Sequence, residues 1–142
     1  MRKKLRESSN DTASLRLRQA GLRPTRQRSE LARLLFKNGP RHLTAEVLHA
    51  EALAEGIKVS LATVYNTLHQ FTQAGLLRQV VVDATRSYFD TNMVDHQHFY
   101  CEDEGELLDI PGGDIAVESH FTPPPGTQVQ RVDVVVRVKR LG

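Results

Sequence analysis

Residues 59–68 read VSLATVYNTL, which is the pattern of an amphipathic helix with a defined start. Ser60 precedes the apolar repeat and suits an N-cap, because its hydroxyl can accept a hydrogen bond from a backbone N–H of the first turn. Gly75 marks the end, since glycine readily adopts the left-handed conformation that closes many helices. Between these two points apolar residues recur at helical spacing: Leu61, Val64, Leu68 and Phe71. The segment therefore predicts a helix with one buried and one polar face.

A second helix is predicted directly before this one. Thr44 suits its N-cap and Gly56 its end. Its inward positions are expected to be Val47, Leu48, Ala52 and Leu53. The connection over residues 56–59 is short and contains glycine, which is typical of a helix-turn-helix.

Two more helices are predicted upstream. One begins after Thr25 and runs to Lys37, where residues 38–40 break it, and the other runs from about residues 9–11 to Gly21. The apolar contacts of these two helices are expected to be Leu15, Leu17, Leu31, Leu34 and Leu35.

Strand patterns follow Gly75. Residues 76–82 and 86–91 flank a polar turn and predict a two-stranded wing. Residues 98–101 and 106–110 predict two further strands, and alternating valines predict a final strand over residues 129–138.

The predicted fold class is therefore α+β. An N-terminal winged helix-turn-helix domain is expected over residues 1–90, followed by a small β-rich dimerisation domain over residues 91–142, with a short helix after Gly113. So few residues bury little surface alone, which favours a homodimer.

Charge divides the chain in the same place. Residues 1–90 carry 15 Lys/Arg and 8 Asp/Glu, a net charge of +7, whereas residues 91–142 carry 4 and 9, a net charge of −5. A basic half suits a polyanionic partner such as double-stranded DNA, although solvated charge without a partner is the alternative. With no long apolar run and no secretory leader pattern, we expect a cytoplasmic protein with no membrane partner. The single cysteine, Cys101, excludes a CxxC structural zinc site.

A recognition helix reads bases through the exposed side chains of its first turns. The methyl and hydroxyl groups of Thr63 and the ring of Tyr65 suit thymine methyls, and Asn66 can pair with adenine or contact phosphate. The candidate DNA-binding residues are Arg23, Arg26, Arg28, Ser60, Ala62, Thr63, Tyr65 and Asn66. An ordinary amphipathic helix with its polar face in water is the alternative.

Residues 20–28, which read AGLRPTRQR, and residues 59–68 resemble the two signature segments of the ferric uptake regulator (Fur) superfamily. The resemblance covers most of residues 15–110. Within the superfamily the chain is most similar to the iron response regulators of alphaproteobacteria, because of residues 60–71, residues 88–92 and the missing CxxC motifs. The resemblance implies a repressor of iron-responsive genes.

His96 and His98 are two positions apart on a predicted strand, so their imidazoles share one face and can chelate one ion. A polar strand that carries both by chance is the alternative. The resemblance implies a larger regulatory site made of His42, Asp90, His96, His98 and Asp109. Three nitrogen and two oxygen ligands suit Fe²⁺, Mn²⁺ or Zn²⁺. We hypothesise that such an ion fixes the angle between the two halves.

The likeness to iron response regulators also implies haem, with His96 and His98 as candidate ligands and His120 as a possible axial one. The Cys-Pro haem motif of some members is absent, because Glu102 follows Cys101. The alternative is a metal-dependent or peroxide-sensing repressor of the Fur type that uses iron or manganese as corepressor.

Two other classes compete with a regulated repressor. A hydrolytic metalloenzyme would use the same ligands, but no dedicated general base or substrate pocket accompanies them, so we expect no enzyme. A winged-helix protein whose histidines are incidental would bind DNA equally well with and without metal or haem.

Overall fold

The computed structural model describes residues 2–93, 96–111, 115, 116, 118 and 121–141, with side chains from residue 11 onward. The chain divides into two compact units, residues 1–93 and 94–142. The described helices all lie in the first unit and the second is built from strands, which confirms the α+β class. None of the described helices combines the length and the hydropathy that a bilayer crossing requires.

Four helices make up most of the first unit: α1 (Arg2–Gln19), α2 (Arg26–Phe36), α3 (Ala45–Ala54) and α4 (Leu61–Gln73). The predicted N-caps of the last three are confirmed. Each cap side chain accepts a hydrogen bond from the backbone N–H three residues later, at Thr25, Thr44 and Ser60. The linker between α3 and α4 turns at Gly56, where a φ of 77° requires the left-handed region.

The apolar core of this unit lies between α1–α4 and the sheet beside them. Its fully buried members include Leu17, Leu31, Leu34, Leu35, Leu48, Val64, Leu68 and Phe71. Predictions were wrong for Leu15, Val47 and Leu53, which are 54%, 44% and 53% exposed. In α3 the buried face contains Leu48 and Ala52, four residues apart. Their sequence neighbours Val47 and Leu53 therefore face solvent.

Helix α1 also begins earlier than predicted, at Arg2 instead of residues 9–11. Residues 2–7 contain no proline or glycine and consist of good helix formers, so the helix meets no obstacle on its polar N-terminal side.

The wing is a three-stranded antiparallel sheet, with strand order β1 (His42–Leu43), β3 (Ser87–Asp90), β2 (Arg78–Val81). The two predicted wing strands are present, with shorter bounds. Strand β1 was not predicted, because two residues cannot show an alternating pattern.

The second unit is a three-stranded sheet in the order β5 (Glu106–Ile110), β4 (Gln97–Cys101), β6 (Val135–Val138). The two predicted strands β4 and β5 form an antiparallel hairpin, and β6 lies parallel to β4. The last strand is shorter than predicted: beside its start the side chain of Gln97 accepts a hydrogen bond from the N–H of Val134 and donates one to the carbonyl of Val132. Of the segment predicted to form a helix after Gly113, residues 115, 116 and 118 are described and are not helical; the other positions up to residue 120, His120 among them, lie outside the described residues.

Candidate metal centre and DNA-binding surface

The hairpin of the second unit brings three predicted metal ligands together. His98 lies directly opposite Asp109 in the β4–β5 ladder, and His96, two residues earlier, approaches the same carboxylate. The Nε2 atoms of His96 and His98 lie 3.3 Å and 3.4 Å from the same carboxylate oxygen, Oδ1 of Asp109. The two imidazole centroids are 4.5 Å apart. His98 is buried and the Asp109 side chain is 46% exposed, so the cluster opens at its carboxylate.

This spacing fits a small ion. Ligand atoms about 2.0–2.2 Å from a metal lie roughly 3.0–3.5 Å from one another in octahedral or tetrahedral geometry. The ligand atoms of His96, His98 and Asp109 all lie within 4.8 Å of one another, so small side-chain rotations suffice to enclose an ion. The imidazoles of His96 and His98 do not fit a haem bound between them. Their Nε2 atoms both approach one carboxylate oxygen of Asp109 and do not face each other across an open gap.

Two further predicted ligands, His42 and Asp90, lie side by side in the first unit. They are directly paired across β1 and β3, and Arg78 of β2 is paired with Asp90 on its other side. Directly opposite residues of antiparallel strands share a face. The Asp90 carboxylate is buried and accepts a hydrogen bond from the backbone N–H of Asn92. Backbone pairing thus fixes the two ligands relative to each other.

The first turns of α4 present the predicted DNA-contacting side chains. Ser60, Ala62 and Asn66 are exposed, and Thr63 and Tyr65 are half-buried. The Ser60 hydroxyl accepts from the N–H of Thr63 and donates to its Oγ1, so it is used in capping the helix.

The three predicted arginines differ in environment. Arg23 and Arg26 are exposed. Arg28 is half-buried and its guanidinium is engaged within the protein, donating to the side-chain oxygen of Gln70 and to the carbonyl of Arg23. Sequence reasoning missed this contact, because Gln70 is 42 residues away and has no distinguishing pattern.

A second contact missed from the sequence joins α3 to α4. The Tyr65 hydroxyl donates a hydrogen bond of 2.9 Å to Oε1 of Glu46. This bond, together with burial and the nearby negative charge, raises the pKa of Tyr65, because ionisation of the phenol would remove the donor. Glu46 is exposed on the first turn of α3, where sequence alone suggests an ordinary solvated carboxylate.

Known proteins resemble the chain in sequence and in fold. The sequence profile described as the ferric uptake regulator family matches residues 19–135. The ferric uptake regulation protein of Bordetella parapertussis is 35% identical over 100 residues, which span 70% of this chain and 72% of that protein. The peroxide-responsive repressor PerR of Staphylococcus aureus is 34% identical over 94 residues, 66% of this chain and 63% of that protein.

The fold also resembles that of a solved ferric uptake regulator. The ferric uptake regulator from Pseudomonas aeruginosa, determined with manganese, superposes with a TM-score of 0.66 at 26% sequence identity, over 90% of this chain and 97% of that one. The profile match covers well over half of the chain, and it agrees with the resemblance carried by residues 20–28 and 59–68. The chain belongs to the ferric uptake regulator family.

Proposed function

We propose that the chain is a DNA-binding transcriptional repressor whose affinity for its operator is controlled by a divalent metal ion. The observation that carries this proposal is the convergence of His96, His98 and Asp109 at the spacing of metal ligands. Two relatives support it by name, since one is a ferric uptake regulation protein and the other a peroxide-responsive repressor. A third was solved with manganese.

The proposed ligand set is completed by residues of the first unit. It consists of His42, Asp90, His96, His98 and Asp109. If an ion takes ligands from both units, its affinity depends on how the two units are arranged. By thermodynamic linkage, binding of the ion then favours that arrangement, and with it the affinity for DNA. The fixed pairing of His42 with Asp90 supports this role, because it presents two ligands as one rigid element.

The proposed DNA-binding domain is residues 1–90, with α4 in the major groove. Thr63, Tyr65 and Asn66 would read base edges, while Ser60 and Ala62 would lie close to the backbone. Arg23 and Arg26 are suited to phosphate contacts because they are exposed, and Arg28 would act mainly by holding the start of α2 against α4. The net charge of +7 over these residues supports attraction to DNA.

Residues 91–142 are proposed to form a homodimer and to carry the sensing ligands. Their three-stranded sheet leaves β5 and β6 at its edges, and Leu108 and Val132 are substantially exposed. A sheet this small gains stability when a second copy covers such apolar surface. A repressor of chromosomal genes would act in the cytoplasm.

The test starts with the selection of a binding site. Metal-free protein is incubated with a random DNA library, with and without Mn²⁺, Fe²⁺ under anaerobic conditions, Zn²⁺ or haem, and the enriched duplex is used in anisotropy titrations at one fixed salt concentration. We expect a divalent ion to strengthen binding at least tenfold. Asp109→Asn should remove this effect, and Glu106→Gln, which alters a carboxylate on the same strand outside the cluster, should preserve it. If the affinity for the duplex is the same with and without each ligand, the chain is a DNA-binding protein that no metal or haem controls, and the proposal is wrong.

The same titrations address the finer likeness to iron response regulators. In that class haem would weaken DNA binding, and His96→Ala with His98→Ala would abolish the weakening. The approach of both imidazoles to a single carboxylate oxygen favours a small ion over haem at this pair. We therefore place the metal corepressor ahead of haem.

A further inference from the structure

Glu46 and Tyr65 form a connection between the two helices of the helix-turn-helix. Tyr65 is the fifth residue of α4, and its hydroxyl donates to Oε1 of Glu46, the second residue of α3, over 2.9 Å. Tyr65 follows the exposed Ala62 by three residues and so shares its helix face, and Glu46 is exposed. The only acidic residue in the first turn of α3 is thus bonded to a side chain expected to touch bases.

The aromatic ring of Tyr65 is held at three places. Part of it packs against the apolar core of the first unit. His69, one turn later in α4, stacks on it with ring centroids 6.5 Å apart and planes 22° apart, and His69 in turn meets Phe89 edge-on. The bond to Glu46 fixes the far end of the ring. The position of the phenol is therefore set before DNA arrives, which reduces the entropy lost on binding.

The charge of Glu46 has the opposite consequence. A carboxylate beside a DNA-contacting residue repels phosphate, and this repulsion weakens binding to every sequence to a similar extent. Orientation of Tyr65 strengthens binding only where the ring meets its preferred base. The repulsion therefore lowers the affinity for every duplex, and the orientation of Tyr65 offsets this loss only on the preferred sequence, so orientation alone raises the ratio of specific to non-specific affinity.

We infer that Glu46 is a specificity-determining residue of the DNA-binding surface, which acts by positioning Tyr65, while its charge lowers the affinity for every duplex. This inference rests on the proposed DNA-binding function. It does not depend on which ligand controls the protein, because neither residue belongs to the proposed metal site.

Three variants separate the two effects. Glu46→Gln keeps an oxygen that can accept from the Tyr65 hydroxyl but removes the charge. Glu46→Ala removes both, and Tyr65→Phe removes only the donor. Affinity is measured by anisotropy, at one salt concentration and with Mn²⁺, for the duplex selected from the random library and for a scrambled duplex of the same composition.

Both Glu46 variants should bind the scrambled duplex about twofold to threefold more tightly, because one repulsive charge is lost. Glu46→Gln should retain the ratio of specific to scrambled affinity within about twofold. Glu46→Ala and Tyr65→Phe should each lower this ratio about fivefold to tenfold, the low end of what one base contact contributes. The double variant should lose no more than either single one, since both changes break one bond.

An unchanged ratio in Glu46→Ala, or losses that multiply in the double variant, would overturn the inference. Multiplying losses would instead mean that Glu46 contacts a base directly, for example the amino group of cytosine. If the wild-type protein prefers no duplex under any condition, the proposed function fails and the inference fails with it. If the wild-type protein prefers one duplex and the Glu46 variants keep the same preference, only the inference fails.

The hydrogen bond itself can be tested without DNA. In protein labelled with ¹³C at the tyrosine Cζ, the resonance missing from Tyr65→Phe identifies Tyr65. Its pKa should be higher in the wild type than in Glu46→Ala, because the alanine removes both the acceptor and the charge. Equal pKa values in the two proteins would show that the bond is absent, and this would also overturn the inference.

Discussion

Gln70 accepts two hydrogen bonds from the guanidinium of Arg28, at 2.9 Å and 3.3 Å, and thereby joins the start of α2 to the last turn of α4. The remaining terminal nitrogen of Arg28 donates to the carbonyl of Arg23 at 2.8 Å. All three guanidinium nitrogens thus have partners within the protein. A residue that the sequence suggests as a phosphate contact is thus part of the scaffold that orients α4.

Replacement of Gln70 by alanine should lower the free energy of unfolding of the first unit by about 1–2 kcal/mol, because a half-buried guanidinium loses its acceptor. Urea titration followed by helical circular dichroism measures this. Arg26→Ala should change stability by less than about 0.5 kcal/mol. It should instead weaken DNA binding and reduce the slope of log affinity against log salt by about 0.9, the value for one phosphate contact. Equal stability of wild type and Gln70→Ala would show that the bridge is not structural.

The ion pair between Arg33 and Glu55 should make the first unit sensitive to acid. Arg33 is buried, donates to Glu55 and also pairs with Glu30 at 3.2 Å. The hydrogen bond from Arg33 lowers the pKa of Glu55. A lowered folded-state pKa gives stability that is present above the ordinary glutamate pKa, about 4.3, and is lost as the pH falls through the lowered value.

Glu55→Gln should therefore be less stable than the wild type at pH 7, by about 1–2 kcal/mol, and the difference should shrink below about pH 4. Urea midpoints measured between pH 7 and pH 3 give the comparison. Glu104→Gln is the control, because the Glu104–Arg140 pair is largely exposed and should leave the midpoints unchanged. A difference for Glu55→Gln that grows toward low pH would contradict this assignment.

The two leucines of α3 offer a direct test of its buried face. Leu48 is fully buried and Leu53 is 53% exposed, although both fit an apolar helical pattern. Leu48→Ala should lower the free energy of unfolding by about 2–5 kcal/mol through lost contacts and a residual cavity, and Leu53→Ala by less than about 0.5 kcal/mol. Urea unfolding of the two variants side by side decides which face is inward, and a reversed order would refute the orientation of α3.

Metal binding should also appear as stabilisation. At a Mn²⁺ concentration about 100 times the dissociation constant, a ligand specific for the folded state adds about 2.7 kcal/mol. Calorimetry should therefore show a higher unfolding temperature with Mn²⁺ in the wild type and in Glu106→Gln, and little change in Asp109→Asn. A shift that persists in Asp109→Asn would place the ion elsewhere.

Much of the fold follows from local patterns in the sequence. Thr25, Thr44 and Ser60 are caps because a short hydroxyl side chain before an apolar repeat is the chemistry that a helix start requires. The pair His96 and His98 could be assigned to one face from the two-residue period of a strand. These relationships span only a few residues.

The features that escaped prediction depend on partners distant in sequence. Strand β1 exists because β3 offers it an edge, and its two residues carry no period of their own. The bonds from Arg28 to Gln70 and from Tyr65 to Glu46 join side chains whose positions in the sequence give no sign of contact with each other. The exposure of Val47 and Leu53 follows from the rotation of α3 against its neighbours, which a short apolar repeat does not fix.

Strand β6, formed by Val135–Val138, pairs in parallel with β4 and has a consequence for biosynthesis. Ribosomes add about 5–20 residues per second, so the segment from residue 94 to residue 138 takes on the order of 2–9 seconds to make. The first unit is synthesised before that interval, and from residue 110 until β6 is made the strand that carries His98 has a neighbour, β5, on only one side. An open strand edge is prone to pair with other chains. Slower translation of residues 94–134 should therefore reduce the yield of folded protein without any change in its sequence.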